Sequence, residues 1–266
     1  PGRSHVDTLL ENTMQFIPYF ICLALLASSL TAAANNEQAA DEDWQFKIAP
    51  YLWATSIDAK AGLQGTPPQE VDISVSDVID NLEMALLINF RAQKGQWGVA
   101  IDTVYMDLRG SNRFGPLDSK LTADVQQLLV SPSVFFQPRQ IEGLELLIGA
   151  RHADLDNTIS IKGPLCSTLG RPCKVSDGDD WFEAFVGARY SYDVNDRFSL
   201  FGYGDLGGFS GQSDSMYQFM LGAEYKFSDT LKLSAGYRVF DVDYESSGFA
   251  YDAKTEGLIA GIGFIF

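Results

Sequence analysis

The feature that most constrains this chain is a period-two alternation of apolar and polar residues. In residues 231–239, one face carries Leu231, Leu233, Ala235, Tyr237 and Val239, and the other carries Lys232, Ser234, Gly236 and Arg238. The alternation recurs between clusters of turn residues, and no stretch after Ala34 keeps a 3.6-residue period over a helix-sized length. The pattern predicts an all-β chain with strands over 44–57, 82–93, 97–109, 121–137, 144–157, 180–193, 197–210, 215–227, 231–244 and 253–266.

The predicted connections differ between the two ends of these strands. Short connections are 94–96, 138–143, 194–196 and 228–230; longer ones are 58–81, 110–120, 158–179 and 245–252, and 211–214 is brief. Short turns at one end and mostly long loops at the other are typical of a transmembrane antiparallel up-and-down β-barrel. With about ten strands, both termini fall at the short-turn, periplasmic end. Eight or twelve strands are the alternatives, because Pro132 interrupts one strand and 158–179 has room for a hairpin.

Alternation alone also fits a soluble β-sandwich, so the membrane assignment depends on further features. The apolar run Phe16–Ala34 ends in small residues and is typical of a secretory signal peptide. The last predicted strand carries an apolar face that runs to Phe264 and Phe266, which resembles the C-terminal signal read by the outer-membrane assembly machinery. We therefore expect an upstream extension over 1–13, a signal peptide over 14–34, a short periplasmic segment over 35–43 and an outer-membrane barrel over 44–266.

Charge and cysteine usage restrict the partners. The net charge is −16 and no Lys/Arg cluster is present, which argues against a nucleic-acid partner. Cys166 and Cys173 lie in one predicted loop, and in an oxidising periplasm such a pair favours a disulfide; a metal site is the alternative, without a second pair or a nearby histidine. His152 is the only histidine after the predicted signal, so a His-rich metal centre is excluded. No cofactor motif is present, and we expect no cofactor.

The polar faces of the predicted strands carry charges of both signs. The tripeptides 149–151, 187–189 and 236–238 each place a glycine and an arginine on the polar face, and we expect these arginines at similar depth near Asp102 and Asp205, with the glycines leaving room for guanidinium groups. Because a buried charge needs a partner, the pattern predicts a charge network that fills the lumen. Its predicted members are Arg91, Asp102, Glu145, Arg151, Glu183, Arg189, Asp205, Glu224 and Arg238. The network is interpreted as a structural plug in a narrow interior, with a selectivity filter or gate as the alternative.

Three further motifs have both a functional and a structural interpretation. His152 with Asp154 or Asp156 is a candidate for a rim hydrolase, but an outward position in the aromatic belt explains His152 without catalysis. Acidic residues gather at the loop ends: Asp177, Asp179, Asp180, Asp241, Asp243, Glu245 and Asp252. They are interpreted as a solvated rim; the alternatives are a site that binds divalent cations against lipopolysaccharide phosphates, or a mouth that favours cations. Residues 76–82 have the pattern of one helical turn capped by Ser76.

Several motifs carry a resemblance to known proteins. They are residues 50–53 (PYLW), Trp97-Gly98 with Asp102 and Tyr105, residues 201–209 (FGYGDLGGF) and residues 236–244 (GYRVFDVDY). Together they resemble an uncharacterised group of proteobacterial outer-membrane β-barrels over about residues 44–266, and more distantly the porin-like and OmpA/OmpW-like barrels. The resemblance implies passive permeation or a role in envelope integrity, and it assigns no functional residue.

These observations predict an integral outer-membrane protein of a Gram-negative-type envelope. We expect a structural or porin-like barrel that passes small solutes through a narrow, charge-lined lumen, and no enzymatic activity; the rim hydrolase is the alternative. The expected partners are outer-membrane lipid and lipopolysaccharide, the assembly machinery during biogenesis and small solutes.

Overall fold

The chain forms long antiparallel strands, and its computed structural model describes residues 43–62, 69–114, 119–162, 173–209, 213–246 and 249–266. The elements in chain order are β1 (Gln45–Gly62), β2 (Gln69–Ile73), α1 (Val75–Asn81), β3 (Leu82–Lys94), β4 (Trp97–Phe114), β5 (Ser119–Phe136), β6 (Leu144–Lys162), β7 (Lys174–Asp193), β8 (Phe198–Gly207), β9 (Ser213–Lys226), β10 (Leu231–Ser246) and β11 (Phe249–Ile265). The predicted segments over 1–13 and 14–34, and all of 35–43 except Asp43, lie outside the described residues. None of the described residues form a helix long and apolar enough to cross a membrane.

The strands close into a barrel. Each of β3 to β11 pairs with its neighbour in sequence, β1 pairs with β3, and β11 returns to β1 along the register Ile48↔Phe264 to Gly62↔Ala250. All of these pairs are antiparallel. Ten strands therefore form the wall, with β2 as an eleventh, short strand, and the predicted fold class and strand number are confirmed. Pro132 lies within β5 opposite Ile101, and the β5–β6 register is the same on both sides of it, so it does not divide the strand.

Between β1 and β4 the wall contains two strands, β3 and β2, which pair with different parts of β1. The first part of β1 pairs with β3, whereas its last part pairs with β2 from Ile57↔Ile73 to Ala61↔Gln69. Helix α1 follows β2, and its Val78 is buried against Ile57 and Leu108. The N-cap of α1 is Ser74, which forms a capping box with Asp77. The predicted cap at Ser76 is therefore wrong, because the helix begins at Val75, one residue before it.

The ends of the barrel differ as predicted, but the long loops are much shorter than predicted. At the short-turn end, Gly95 adopts a φ of 60° in the two-residue turn between β3 and β4. At the opposite end, which we call the loop end, the β6–β7 ladder continues to Ser160↔Lys174 and the β10–β11 ladder to Ser246↔Phe249. Most of 110–120 and of 245–252, and half of 158–179, is therefore strand. These extensions have water on the outside, so their outward residues are polar and the alternation expected of a lipid-facing strand is lost.

Several of the longer strands reverse their apolar face along their length, so that the apolar residues are outward in one half and inward in the other. In the short-turn half of β10, Leu233 and Tyr237 point outward and are exposed, while Arg238 points inward and is 2% exposed. In its loop-end half, Phe240 and Val242 are both buried inside, whereas Asp241 is outward. The same reversal occurs in β6, β7 and β11. The apolar outward band in the short-turn half is the lipid-facing surface, where residues such as Leu258 (66% exposed) and Ile148 (62%) lie.

Candidate functional site

The lumen nearest the short-turn end holds a charged group that we call the end cluster. It contains Lys47, Arg91, Glu145, Arg189, Glu224 and Lys232. Glu224 accepts from three cations: Lys47 Nζ at 3.2 Å, Arg189 Nη2 at 3.0 Å and Lys232 Nζ at 3.5 Å. Arg91 donates to Glu145 at 2.7 Å, and Glu145 also accepts from the amide of Gln137 at 2.9 Å. The short-turn ends of six strands bring these residues together, since β1, β3, β6, β7, β9 and β10 each place one inward position at this depth.

A second group, the central cluster, lies deeper in the lumen. It contains Tyr51, Asp102, Ser131, Arg151, Tyr203, Asp205, Gln218 and Arg238. Arg151 forms an ion pair with Asp205 at 3.1 Å, and the two side chains are 2% and 0% exposed. Arg238 forms an ion pair with Asp102 at 3.3 Å and donates to the hydroxyl of Tyr51 at 2.8 Å. Because each guanidinium has a carboxylate partner, these buried charges are compensated.

Hydrogen bonds join the two ion pairs of the central cluster. Gln218 donates from Nε2 to Asp205 at 3.1 Å, and its Oε1 accepts from Arg238. Asp205 also accepts from the hydroxyl of Tyr203 at 2.6 Å. Gln218 therefore bridges the Arg151–Asp205 and Arg238–Asp102 pairs into one network across the lumen.

Three arginines of the two clusters lie over phenylalanine rings that cover glycines. Gly98, Gly149 and Gly222 are directly opposite Phe135, Phe185 and Phe201 in the strand register. A Cβ at Gly149 would lie 2.5 Å from Cζ of Phe185, and one at Gly222 would lie 2.7 Å from Cζ of Phe201. The guanidinium groups of Arg91, Arg151 and Arg189 lie 4.2, 5.0 and 4.6 Å from the ring centroids of Phe135, Phe185 and Phe201.

This arrangement changes the predicted role of the glycines. A glycine lets the opposite ring lie flat against the wall, and the ring then supports a guanidinium by a cation–π contact. Arg238 lies over the indole of Trp53 at 4.6 Å in the same manner. The prediction that glycines leave room directly for guanidinium groups is therefore wrong for Gly149, because the space is taken by Phe185. At Gly187 and Gly236 a Cβ would meet the backbone of the neighbouring strand.

The loop-end half of the lumen is filled by an apolar core. Its buried members are Trp53, Leu87, Val104, Met106, Leu129, Ala153, Leu155, Trp181, Phe185, Met216, Phe240, Val242, Tyr244 and Ala253. Trp181 stacks on Tyr244 with ring centroids 4.0 Å apart, and the hydroxyl of Tyr244 donates to Asp179 at 2.8 Å. β7 thereby contacts β10 across the lumen.

The structure brings eight of the nine predicted lumen residues into the two clusters. Arg91, Glu145, Arg189 and Glu224 belong to the end cluster, and Asp102, Arg151, Asp205 and Arg238 belong to the central cluster. Glu183 lies opposite Arg151 in the β6–β7 register and accepts from the backbone N–H of Gly208 at 2.9 Å. Arg189 is nearer the short-turn end than Arg151 and Arg238, so the expectation of equal depth is wrong for this residue.

The candidate hydrolase residues lie on the outward face of β6. His152 stacks on the outward Phe182 with centroids 4.5 Å apart, and Asp154 and Asp156 follow it on the same face. Among the predicted acidic rim residues, Asp177 and Glu245 have side chains that are not described. Within the described ranges, no group of three or more His, Cys, Asp or Glu residues is arranged to hold a metal ion. Cys166 lies outside the described residues, so the Cys166–Cys173 disulfide stays a prediction.

Comparisons with known proteins agree with this geometry. No family model matches the sequence, and no curated protein matches it. The fold is similar to the crystal structure of the outer-membrane protease OmpT from Escherichia coli, with a TM-score of 0.59 and 10% identity over 88% of this chain and 100% of that chain. The chain has the fold of an outer-membrane β-barrel. A weaker match is Ail, the attachment invasion locus protein of Yersinia pestis, with a TM-score of 0.36 and 13% identity over 85% of this chain and 100% of that chain.

The comparison with OmpT corrects one prediction. The sequence analysis expected no enzymatic activity, and this exclusion is wrong, because a barrel of the same fold is a protease. At 10% identity the likeness extends to the fold, and it assigns no activity to this outer-membrane barrel.

Sequence reasoning missed several residues of the interior. Tyr51, Tyr203 and Gln218 form hydrogen bonds with the charged residues of the central cluster. Phe135 and Phe201 form cation–π contacts with Arg91 and Arg189 of the end cluster. The signal for the rings was present, since each phenylalanine stands at an inward, polar-face position of its strand. An aromatic residue at such a position has no lipid to contact, so it needs a partner within the lumen.

Proposed function

We propose that this protein is a structural outer-membrane barrel with a closed lumen, which supports envelope integrity and passes no solute in its resting state. The apolar core is the observation that carries this proposal, because its side chains fill the loop-end half of the lumen. A hydrated solute that crossed this region would exchange its water for apolar side chains at a high free-energy cost. Porin-like permeation, the other form of the predicted function, would require this core to open.

The proposed orientation places the short-turn end in the periplasm. Two features support it. The start of β1 and the end of β11 lie there, with Phe46 paired to Phe266. Short turns are periplasmic in bacterial barrels. The loop end then projects beyond the bilayer, where outward residues such as Asp154, Asp241 and Asp252 meet water and the polar head groups of lipopolysaccharide.

Three sequence expectations complete the proposal. A signal peptide over 14–34 would direct export, and a disulfide between Cys166 and Cys173 would close a loop at the cell surface. Phe264 and Phe266, which are outward and exposed at the end of β11, would be recognised by the assembly machinery.

Planar-bilayer recording of the refolded protein tests the closed lumen. We expect no steady conductance from the wild type. The double variant Trp181→Ala, Phe240→Ala removes two large members of the apolar core and is expected to conduct. Phe182→Ala is the matched control, because Phe182 is the neighbour of Trp181 but points outward. Steady single-channel currents from the wild type would overturn the proposal and favour permeation.

A further inference from the structure

A cavity lies between the end cluster and the central cluster. Its volume is about 140 Å³, roughly ten times the 10–15 Å³ that holds one water molecule. The space exists because the inward positions between the two clusters carry small residues, among them Ala49, Ala100, Ser133, Ser234 and Gly261. We call this cavity the chamber. Its charged lining consists of Lys47, Arg91, Asp102, Arg151, Arg189, Glu224 and Arg238.

The chamber is surrounded by more cations than carboxylates. Its lining holds five cations and two carboxylates. The partners of these residues outside the lining are Glu145, Asp205 and Lys232. Glu183, which is buried opposite Arg151 in the β6–β7 register, adds a further carboxylate. Six cations and five carboxylates then surround the chamber, which leaves one positive charge uncompensated in the interior of a chain whose net charge is −16.

The excess positive charge is located around Glu224. Arg91, Arg151 and Arg238 each have a carboxylate of their own, at 2.7, 3.1 and 3.3 Å. Lys47, Arg189 and Lys232 share the single carboxylate of Glu224, whose side chain is 9% exposed. Enclosed charges are costly unless they are paired, so this arrangement favours a further negative charge.

Donors for such a charge are present in the chamber wall. Lysine has three N–H donors and arginine has five, and Glu224 uses one from Lys47 and one from Arg189. Arg189 donates Nε to Ser191 at 3.3 Å, which leaves its Nη1 for a ligand within the described contacts. On the opposite side, Nε of the buried Arg238 has no hydrogen-bond partner among the described residues.

We propose that the chamber binds a small oxyanion of the size of inorganic phosphate or sulfate, which enters from the periplasmic end. An anion would compensate the excess positive charge, and guanidinium groups match the geometry of tetrahedral oxyanions. The entry is at the end cluster, where the side chains of Lys47, Arg189 and Lys232 are partly exposed. The central cluster and the apolar core close the other side, so the chamber is a binding site with one opening.

The test uses the full barrel refolded in a neutral detergent and titrated with sodium phosphate at constant ionic strength. Isothermal titration calorimetry and the thermal unfolding midpoint are the two measurements. We expect phosphate and sulfate to bind and to raise the midpoint, and chloride to do neither. A second arm without added phosphate, in vesicles with an anionic phospholipid, separates a free anion from a lipid phosphate. An upward shift with that lipid alone would show that the head group is the ligand and would overturn the free-anion proposal.

The variants Lys47→Gln and Arg189→Gln are expected to weaken phosphate binding about 10- to 100-fold, the effect of losing one charged hydrogen bond. Lys226→Gln is the matched control, because Lys226 lies in the same strand as Glu224, two residues nearer the rim, and pairs with Asp229 at 2.7 Å instead. Ala100→Leu fills the chamber and is expected to abolish binding.

Heat-modified migration on gels reports whether each variant is folded, and Lys47→Gln decides the question if Ala100→Leu fails to fold. The proposal is wrong if the wild type does not bind phosphate, or if Lys226→Gln weakens binding as much as Arg189→Gln. Both outcomes are independent of conductance, so they leave the closed-lumen proposal untouched.

Discussion

Replacement of Asp205 by alanine is a direct test of the central cluster. Asp205 accepts from Arg151, from the hydroxyl of Tyr203 and from the amide of Gln218. Its side chain is fully buried, and that of Arg151 is 2% exposed. Asp205→Ala therefore removes the carboxylate that pairs with the buried guanidinium of Arg151.

The expected loss is about 3–5 kcal/mol in the free energy of unfolding, the range for breaking a buried ion pair from one side. Most of this loss comes from the uncompensated charge on Arg151 and not from the pair itself. The double variant Arg151→Met, Asp205→Leu removes both charges at similar volume, so we expect it to be more stable than Asp205→Ala. The double variant still leaves Tyr203 and Gln218 short of an acceptor, which costs about 1–3 kcal/mol per buried group.

Urea unfolding of the barrel in phospholipid vesicles, followed by tryptophan fluorescence, measures these differences. Trp53 and Trp181 lie in the apolar core and report on its loss. Asp229→Ala is the control: Asp229 pairs with Lys226 in an exposed turn, the hydrogen bond from Lys226 lowers the pKa of Asp229, and we expect no change in the unfolding midpoint. If Asp205→Ala loses less than about 1 kcal/mol, or if the double variant is the less stable of the two, the buried-pair reasoning is refuted.

Three further predictions test the wall of the barrel. Gly149→Ala is expected to abolish folding or lower the unfolding midpoint sharply, because its Cβ would lie 2.5 Å from Cζ of Phe185. Gly204→Ala is the control: its Cβ would meet no atom nearer than 3.7 Å, so we expect it to fold in the same gel assay. Leu258→Arg is expected to cost about 2–4 kcal/mol in vesicle unfolding if Leu258 faces the middle of the lipid; an unchanged midpoint would contradict the assignment of the outward apolar band. Phe266→Ala is expected to reduce the amount of folded protein assembled in cells without changing refolding in detergent, and an equal loss in both would point to a structural role.

The sequence predicted the short-turn half of the barrel better than the loop-end half, for a physical reason. In the short-turn half, outward residues such as Leu233 meet lipid and inward residues such as Lys232 meet the lumen, so the alternation is strong and gives the strand and its face together. In the loop-end half the pairing continues, but outward residues such as Asp241 meet water. The alternation then resembles a solvated loop. Residues 110–120 and 158–179 were predicted as connections, although most of the first range and half of the second are strand.

The sequence predicted which charged residues line the candidate site, but not which of them pair with each other. Arg151 and Asp205 were identifiable because charged residues on an enclosed face need each other, yet they are 54 positions apart in the sequence. Their pairing depends on the closure of the barrel and on the depth of each strand, which the turns determine only approximately. The role of Phe185 beneath Arg151 required the register of β6 against β7, and a change of one position would place that ring in lipid.

The change of the apolar face from outward to inward is visible in the sequence and locates the edge of the bilayer. Where a strand leaves the lipid, the apolar residues move from its outward to its inward positions, so two apolar residues become adjacent. Val239 and Phe240 form such a step in β10, and Trp181 and Phe182 form one in β7. Both steps lie at the depth where the central cluster gives way to the apolar core, since Phe240 also contacts Arg151 at 5.0 Å. The lumen is therefore polar where lipid surrounds the barrel and apolar where water surrounds it. The apolar core that closes the lumen stabilises the projecting half in the same way as the core of a water-soluble barrel.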